Sequence, residues 1–210
     1  MMTAINIFVE PQYRPDLCCV RDPSRPTLTG VFHEPSRRQV AEHGFVLVAC
    51  PCRIEGAPEG WQGAIVPALL FSKAQAVKAR NLWQTKPLLT IEGTLVCADI
   101  GDGMRAQMSL IEGRFPAWRT FIPSGEQNDD SDAHLAVDVR KAVTMHRALG
   151  LGHGAVLQLI ASPNKGPVYA FGPSDDKAFG LIMPLMWNLG TMKQRVAAIV
   201  AELKQEAKNA

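Results

Sequence analysis

The most constraining feature of this sequence is that one order of predicted elements, a strand, a helix and then more strands, occurs twice. In the first occurrence Leu70, Ala74 and Val77 recur at the spacing of one helix face. Pro67 precedes them at a position suited to the first turn of a helix. In the second, Asp138 can cap a helix that ends before Gly150. The repeat predicts an α+β fold in which helices cover antiparallel strands.

Short β-rich runs separated by proline, serine and glycine surround the two helices. Glycines, including the Gly101-Asp102-Gly103 triplet, mark turns between the runs. The predicted helices span 67–82 and 139–149, and the predicted strands span 5–9, 27–33, 40–50, 88–94, 95–100, 105–111, 135–137, 156–161, 168–171 and 179–185.

An apolar stripe near the end of the chain predicts a third helix, which must pack on its own domain or on a neighbour. Its members are Met192, Val196, Ile199, Val200 and Leu203.

The composition is that of a folded, soluble protein, because 47% of 210 residues are hydrophobic. No apolar run approaches the roughly 18 residues of a membrane span. We also see no charged segment followed by an apolar stretch of the kind that forms a signal peptide. We therefore expect a cytoplasmic protein with no membrane partner. The five cysteines, an odd number, are expected to be reduced thiols. They are Cys18, Cys19, Cys50, Cys52 and Cys97.

The net charge of +2 is too small to indicate a nucleic-acid partner by itself, so the placement of the charges matters. Cations accumulate in and after the first predicted helix and again in the second, whereas acidic residues are concentrated in 126–132. The second helix is expected to have a wholly basic exposed face, although an ordinary solvated face is the alternative. That face would carry Arg140, Lys141, Thr144 and Arg147, opposite Val139, Ala142, Val143 and Leu149.

Five stretches, in the same order along the chain, resemble the bacterial replicative sliding clamp, the β subunit of DNA polymerase III. The most specific is LIEGRFPAWRTFIP at 110–123, which resembles the family pattern L-I-D-G-R-F-P-D-Y-R-x-V-L-P. The others are RPTLTGVFHE at 25–34, RQVAEHGFVLVAC at 38–50, IVP at 65–67 and LIMPL at 181–185. The resemblance covers roughly residues 4 to 186.

The resemblance implies a DNA-clamp-like fold of repeated βαβββ units, with inner helices on a curved antiparallel β-layer. It implies a division into 1–123, resembling the middle clamp domain, 124–187, half of a clamp domain, and 188–210, a C-terminal helix. Two departures stand out. Only residues 13–22 occupy the place of the first helix, and His43, Phe45 and Val46 replace the aspartate, histidine and arginine of the family's D-G-H-R-L segment.

The resemblance also implies two kinds of binding site. A sliding grip on duplex DNA needs cationic helix faces that meet phosphates without reading bases. The expected DNA-binding residues are Lys73, Lys78, Arg80, Arg140, Lys141 and Arg147. An apolar pocket would dock peptides of DNA polymerase or of other clamp-binding proteins. Its expected residues are Leu47, Pro123, Ile182, Met183, Pro184 and Leu185, although Ile182 and Leu185 are equally explained as core residues of a final strand.

Catalytic, metal and cofactor sites are not expected. Cys50-Pro51-Cys52 near His33 or His43 lacks the second ligand pair of a structural zinc site. A hydrolytic set of Ser109, Asp138 and His146 lacks a G-x-S-x-G turn, and no phosphate-binding glycine motif is present.

Two functions are consistent with the resemblance. The first is a non-enzymatic clamp that holds DNA non-specifically and docks replication or repair proteins. The second is a clamp-fold interaction module, a decoy, inhibitor or scaffold, that does not encircle DNA. A chain this short cannot close around a duplex alone, so the first function predicts a homo-oligomer. The resemblance allows a closed tetramer, and it also allows dimers or an open form.

Overall fold

A computed structural model describes residues 4–80, 87–101, 103–122, 137–152, 155, 157–160, 167–172 and 175–183. The helices are α1, Ala68–Arg80, and α2, Val139–Ala148. The strands are β1 Ile5–Phe8, β2 Gly30–Glu34, β3 Arg38–Glu42, β4 Val46–Pro51, β5 Arg53–Glu55, β6 Ala64–Pro67, β7 Leu89–Glu92, β8 Leu95–Gly101, β9 Met104–Ser109, β10 Gln158–Ile160, β11 Val168–Gly172 and β12 Asp175–Ile182.

The described strands form two antiparallel sheets, which confirms the α+β class. One sheet has the order β5-β1-β7-β8-β9 and the other the order β10-β11-β12-β4-β3-β2-β6. The single curved layer expected from the sequence is therefore two sheets in the described part of the chain. β12, from the second half of the sequence, pairs with β4 from the first, so the larger sheet joins the two halves.

The two helices pack on the same face of the seven-stranded sheet. His33, Gln39 and Cys50 are consecutive cross-strand neighbours and therefore point to one side of it. On that side the His33 ring faces the Phe71 ring of α1 at 5.9 Å, and the Cys50 thiol lies 4.0 Å from the carbonyl oxygen of Ala148 in α2. The expectation that the helices share a face is confirmed.

One large core lies beneath the helices and is shared by both sheets. Strand alternation directs Ile5 and Ile7 of β1 and their partners Ile91 and Leu89 of β7 into it. α1 contacts β8 of the smaller sheet and also β2 and β6 of the larger one. This helix therefore ties the two sheets together.

The opposite face of the seven-stranded sheet is covered by the segment 111–122, which contains the most clamp-like sequence of the chain. Its Phe115 ring stacks on Phe32 at 5.0 Å, and its Trp118 ring meets Phe179 at 6.1 Å. Arg119 then pairs with Glu34 at the end of β2. A second core, on this face, results.

Several predicted element boundaries were wrong for local reasons. Pro67 is the last residue of β6, so the helix begins one residue later. Pro26 starts a 3-10 turn over Pro26–Leu28, and β2 follows it. The run 40–50 is broken into β3 and β4 by a turn in which Gly44 has a φ of 75°.

The last strand begins earlier than predicted, at Asp175, and ends at Ile182. Residues 13–22, which occupy the place of the first helix in the clamp resemblance, contain only a 3-10 turn, Pro15–Cys18. Of the predicted strand at 135–137, residues 135–136 lie outside the described residues, and residue 137 is not part of a strand. The acidic segment and the C-terminal stripe at 192–203 also lie outside the described residues. No helix among the described residues is long and apolar enough to cross a membrane.

Candidate nucleic-acid and peptide interface

Both ends of α2 are fixed by local interactions that the sequence predicts. The Asp138 carboxylate accepts a hydrogen bond from the backbone N–H of Arg140 at 2.9 Å, and this bond lowers the pKa of Asp138. At the other end Gly150 adopts a φ of 72°, and its backbone N–H donates to the Arg147 carbonyl oxygen. The predicted cap and the predicted terminating glycine are confirmed.

The predicted faces of α2 were partly wrong. Met145 and Ala148 are fully buried, whereas Val139 is 75% exposed and Val143 45% exposed. The helix is oriented by Met145, which packs against Gly180 of β12, and the two valines then fall on the opposite side. The exposed face of α2 is consequently a mixture of valine and arginine, and not wholly basic.

The predicted cations differ in how freely they can meet a ligand. The Arg140 side chain is 92% exposed, although its guanidinium lies 3.4 Å from the Asp138 carboxylate. Arg147 and, on α1, Lys73 are also exposed. Lys141 is half-buried, and its ammonium lies 4.0 Å from the centre of the Phe45 ring. The side chains of Lys78 and Arg80 lie outside the described part of α1.

Arg14 is a cation beside α1 and α2 that the sequence analysis did not select. Its guanidinium forms two hydrogen bonds with the Asp16 carboxylate and one with the Ser72 hydroxyl of α1. Its backbone N–H donates to the Ala148 carbonyl oxygen at the end of α2, at 2.9 Å. The hydrogen bond to Asp16 raises the pKa of Arg14. Arg14 therefore bridges the two helices, but no local pattern predicts contacts so distant in sequence.

The described members of the predicted peptide site do not converge. Leu47 is buried on the sheet face covered by Trp118, whereas Ile182 is fully buried on the helix face. Leu181 is the residue directly opposite Leu47, and strand alternation places it on the same face. The interpretation of Ile182 as a core residue is thus the better one. Pro123, Pro184 and Leu185 lie outside the described residues.

An exposed apolar rim lies at the end of β12. Met183 is 43% exposed, and its backbone N–H donates to the Phe45 carbonyl oxygen at 2.8 Å. Phe45 itself is 56% exposed. Sequence reasoning selected Met183 but missed Phe45 and Leu181, although the alternation of strand residues around Met183 points to Leu181.

Two of the residues considered for catalysis, His146 and Asp138, have other contacts. His146 is half-buried, with its Nε2 3.1 Å from the Ala155 carbonyl oxygen, and Asp138 caps α2. Burial raises the pKa of the Cys50 thiol well above its usual value and that of Cys52 to about 12, so neither is a ready thiolate. In the described ranges no group of three or more metal-ligating side chains occurs.

No protein-family model matches this sequence, and a comparison with curated proteins finds no match. Solved structures do match. DNA polymerase III subunit β from Borrelia burgdorferi, in complex with a natural product, aligns with a TM-score of 0.63 at 13% identity, over 88% of this chain and 64% of that one. The sliding clamp of Pseudomonas aeruginosa gives 0.55 at 14% identity, over 89% and 68%.

The sliding clamp of Bartonella birtlesii bound to griselimycin gives a TM-score of 0.52 at 13% identity, over 89% of this chain and 67% of that one. This chain thus spans about two thirds of the length of the clamps that it matches. The identities are too low to transfer a site, but the shared architecture covers nearly all of the chain. The protein has the fold of the bacterial DNA polymerase III β sliding clamps.

Proposed function

We propose that this protein is a non-enzymatic, clamp-like protein that holds duplex DNA without sequence preference and docks replication or repair proteins. One observation carries the proposal. α1 and α2 lie on the same face of the seven-stranded sheet, and Lys73, Arg140 and Arg147 are exposed on those helices. The likeness to clamp structures supports the proposal that α1 and α2 face the duplex.

The physical argument rests on how long cationic side chains meet phosphates. Exposed arginine and lysine on a rigid helix attract the duplex at some distance, and they release condensed counterions without making base contacts. The partial neutralisation of Arg140 by Asp138 and the position of Lys141 over Phe45 both weaken that attraction. Weak binding is suited to a grip that slides.

For partner docking, the proposed surface is the apolar end of the seven-stranded sheet near Met183. Met183 and Phe45 are exposed there, and Leu47 and Leu181 lie beneath on the face covered by Trp118. A flexible methionine can accept varied apolar side chains of a short peptide. Pro123, Pro184 and Leu185 remain proposed members of the site.

The test of DNA holding is a matched pair of double variants. R140A/R147A removes two exposed cations from α2, whereas R53A/R105A removes two exposed cations from opposite edge strands of the smaller sheet. Duplex binding measured by fluorescence anisotropy at low salt should weaken in the first variant and stay near the parent in the second. The salt dependence of binding should fall by about two phosphate contacts in R140A/R147A. Equal loss in both variants would show only a general charge effect and would contradict the proposed site.

The second candidate function is a clamp-fold interaction module that does not encircle DNA. The exposed valines of α2 favour it, because phosphate contacts require no apolar surface. Light scattering of the intact protein at tens of micromolar separates the two functions. A homo-oligomer large enough to surround a duplex supports the clamp, whereas a strictly monomeric mass supports the module.

A further inference from the structure

α2 presents a short apolar ridge to solvent. Val139 and Val143 are one helical turn apart and are both exposed, so their side chains lie on one side of the helix. Neither is needed for the internal packing of α2, which is made by Met145 and Ala148. The ridge therefore represents apolar surface that the described fold leaves in water.

Two exposed cations lie along one side of this ridge. Arg140 follows Val139 and is almost fully exposed, and Arg147 lies one turn beyond Val143 and is also exposed. A DNA phosphate would use the arginines only. A ligand that satisfies the whole surface must offer apolar side chains to the valines and carboxylates to the arginines.

We infer that the exposed face of α2 docks an acidic amphipathic helix of a partner protein. The spacing of the valine ridge matches the one-turn spacing of apolar residues on such a helix, and carboxylates along one margin of that helix complement Arg140 and Arg147. Arg140 and Arg147 repel a basic amphipathic helix on the same face, although the Asp138 carboxylate partly neutralises Arg140. The inference stands without DNA binding, but it predicts that the partner helix and duplex DNA compete, because both require the two arginines.

The probe is a fluorescein-labelled helical peptide of about 16 residues, in which leucine at helical a and d positions alternates with glutamate elsewhere. Binding to the full chain is measured by anisotropy, beside binding of a duplex. The variant V139S/V143S should lower peptide affinity about tenfold or more and leave duplex affinity within about twofold, because only the peptide uses the valines. Serine and valine have similar helix propensities, so α2 should persist.

Two further variants complete the test. R140A/R147A should weaken both ligands, and V143E should abolish peptide binding by placing a like charge against the probe. M104S removes an exposed apolar side chain from the edge strand β9 and should change nothing.

Undiminished peptide binding in V139S/V143S would overturn the inference, as would equal binding of a leucine and lysine version of the peptide. Loss of duplex binding in R140A/R147A with peptide binding retained would likewise reject this site but support the DNA proposal. Peptide binding that depends on the valines, in a protein that binds no duplex, would reject the DNA proposal alone.

Discussion

The side chain of Met145 in α2 occupies the space that a Cβ atom on Gly180 of β12 would fill. Both residues are buried, and their contact fixes which face of α2 meets the seven-stranded sheet. The exposure of Val139, Val143 and the two neighbouring arginines is a consequence of this contact.

Gly180→Ala should lower the free energy of unfolding by about 1–3 kcal/mol, because the added methyl overlaps the thioether in a closed core. Met145→Ala should cost about 2–5 kcal/mol through a cavity. In the double variant the new methyl fills part of that cavity, so the combined loss should be smaller than the sum. Denaturant unfolding of the four proteins measures this coupling, and strictly additive losses would mean that the residues do not contact one another.

The termini of α2 could be predicted from the sequence because their causes are local. A cap at Asp138 and a positive φ at Gly150 each depend on bonds to residues within one turn. The rotation of α2 could not be predicted, because it is set by Gly180, far along the chain. Valines at 139 and 143 satisfy a helical apolar pattern equally well, and only the tertiary contact separates them from Met145.

In the candidate sites, too, features with local causes could be predicted and features set by tertiary contacts could not. Clusters of arginine and lysine can be read directly, and the structure places Arg140 and Arg147 at an exposed surface. The pairing of Leu181 with Leu47 depends on strand register, which decides whether a residue faces the helices or the Trp118 segment. Arg14 was missed because it bridges α1 and α2 from a 3-10 turn without any periodic pattern.

His33 should make stability dependent on pH. Burial lowers its pKa to about 3, against 6.5 in an exposed histidine, and neither ring nitrogen has a hydrogen-bond partner among the described residues. Between these values the unfolded chain binds a proton that the folded chain does not. Stability should therefore decline as the pH falls from about 6.5 toward 3.

His33→Gln should reduce this decline while keeping a polar side chain at the site. His33→Leu should reduce it too and should also raise the free energy of unfolding at pH 7 by about 1–3 kcal/mol, since a buried polar group without a partner is removed. Urea unfolding at several pH values checks both. A parent and a His33→Gln variant with the same pH profile would exclude His33 as the source.

Glu34 should contribute a second, more acidic dependence. Burial alone would raise its pKa, but hydrogen bonds from Arg119 and Ser36 outweigh burial and lower the pKa below the usual 4.5. The stabilisation is complete above about 4.5 and is lost as the pH falls through the lower pKa of the folded state. Because the Arg119 side chain is half exposed, we expect about 1 kcal/mol for Glu34→Gln at neutral pH, and near zero in strong acid. An equal loss at both pH values would point to packing and not to charge.

Asp138 should have opposite effects on stability and on DNA binding. Its carboxylate caps α2 and also lies 3.4 Å from the Arg140 guanidinium, so it stabilises the helix while neutralising a proposed phosphate contact. Asp138→Asn retains a capping oxygen and removes the charge. It should leave the Tm near that of the parent and raise duplex affinity severalfold at low salt.

Asp138→Ala should raise affinity less and lower the Tm, because an uncapped first turn frays and carries Arg140 with it. Thermal unfolding and anisotropy titrations on the same samples separate the two effects. Unchanged duplex affinity in Asp138→Asn would show that Arg140 does not face the DNA.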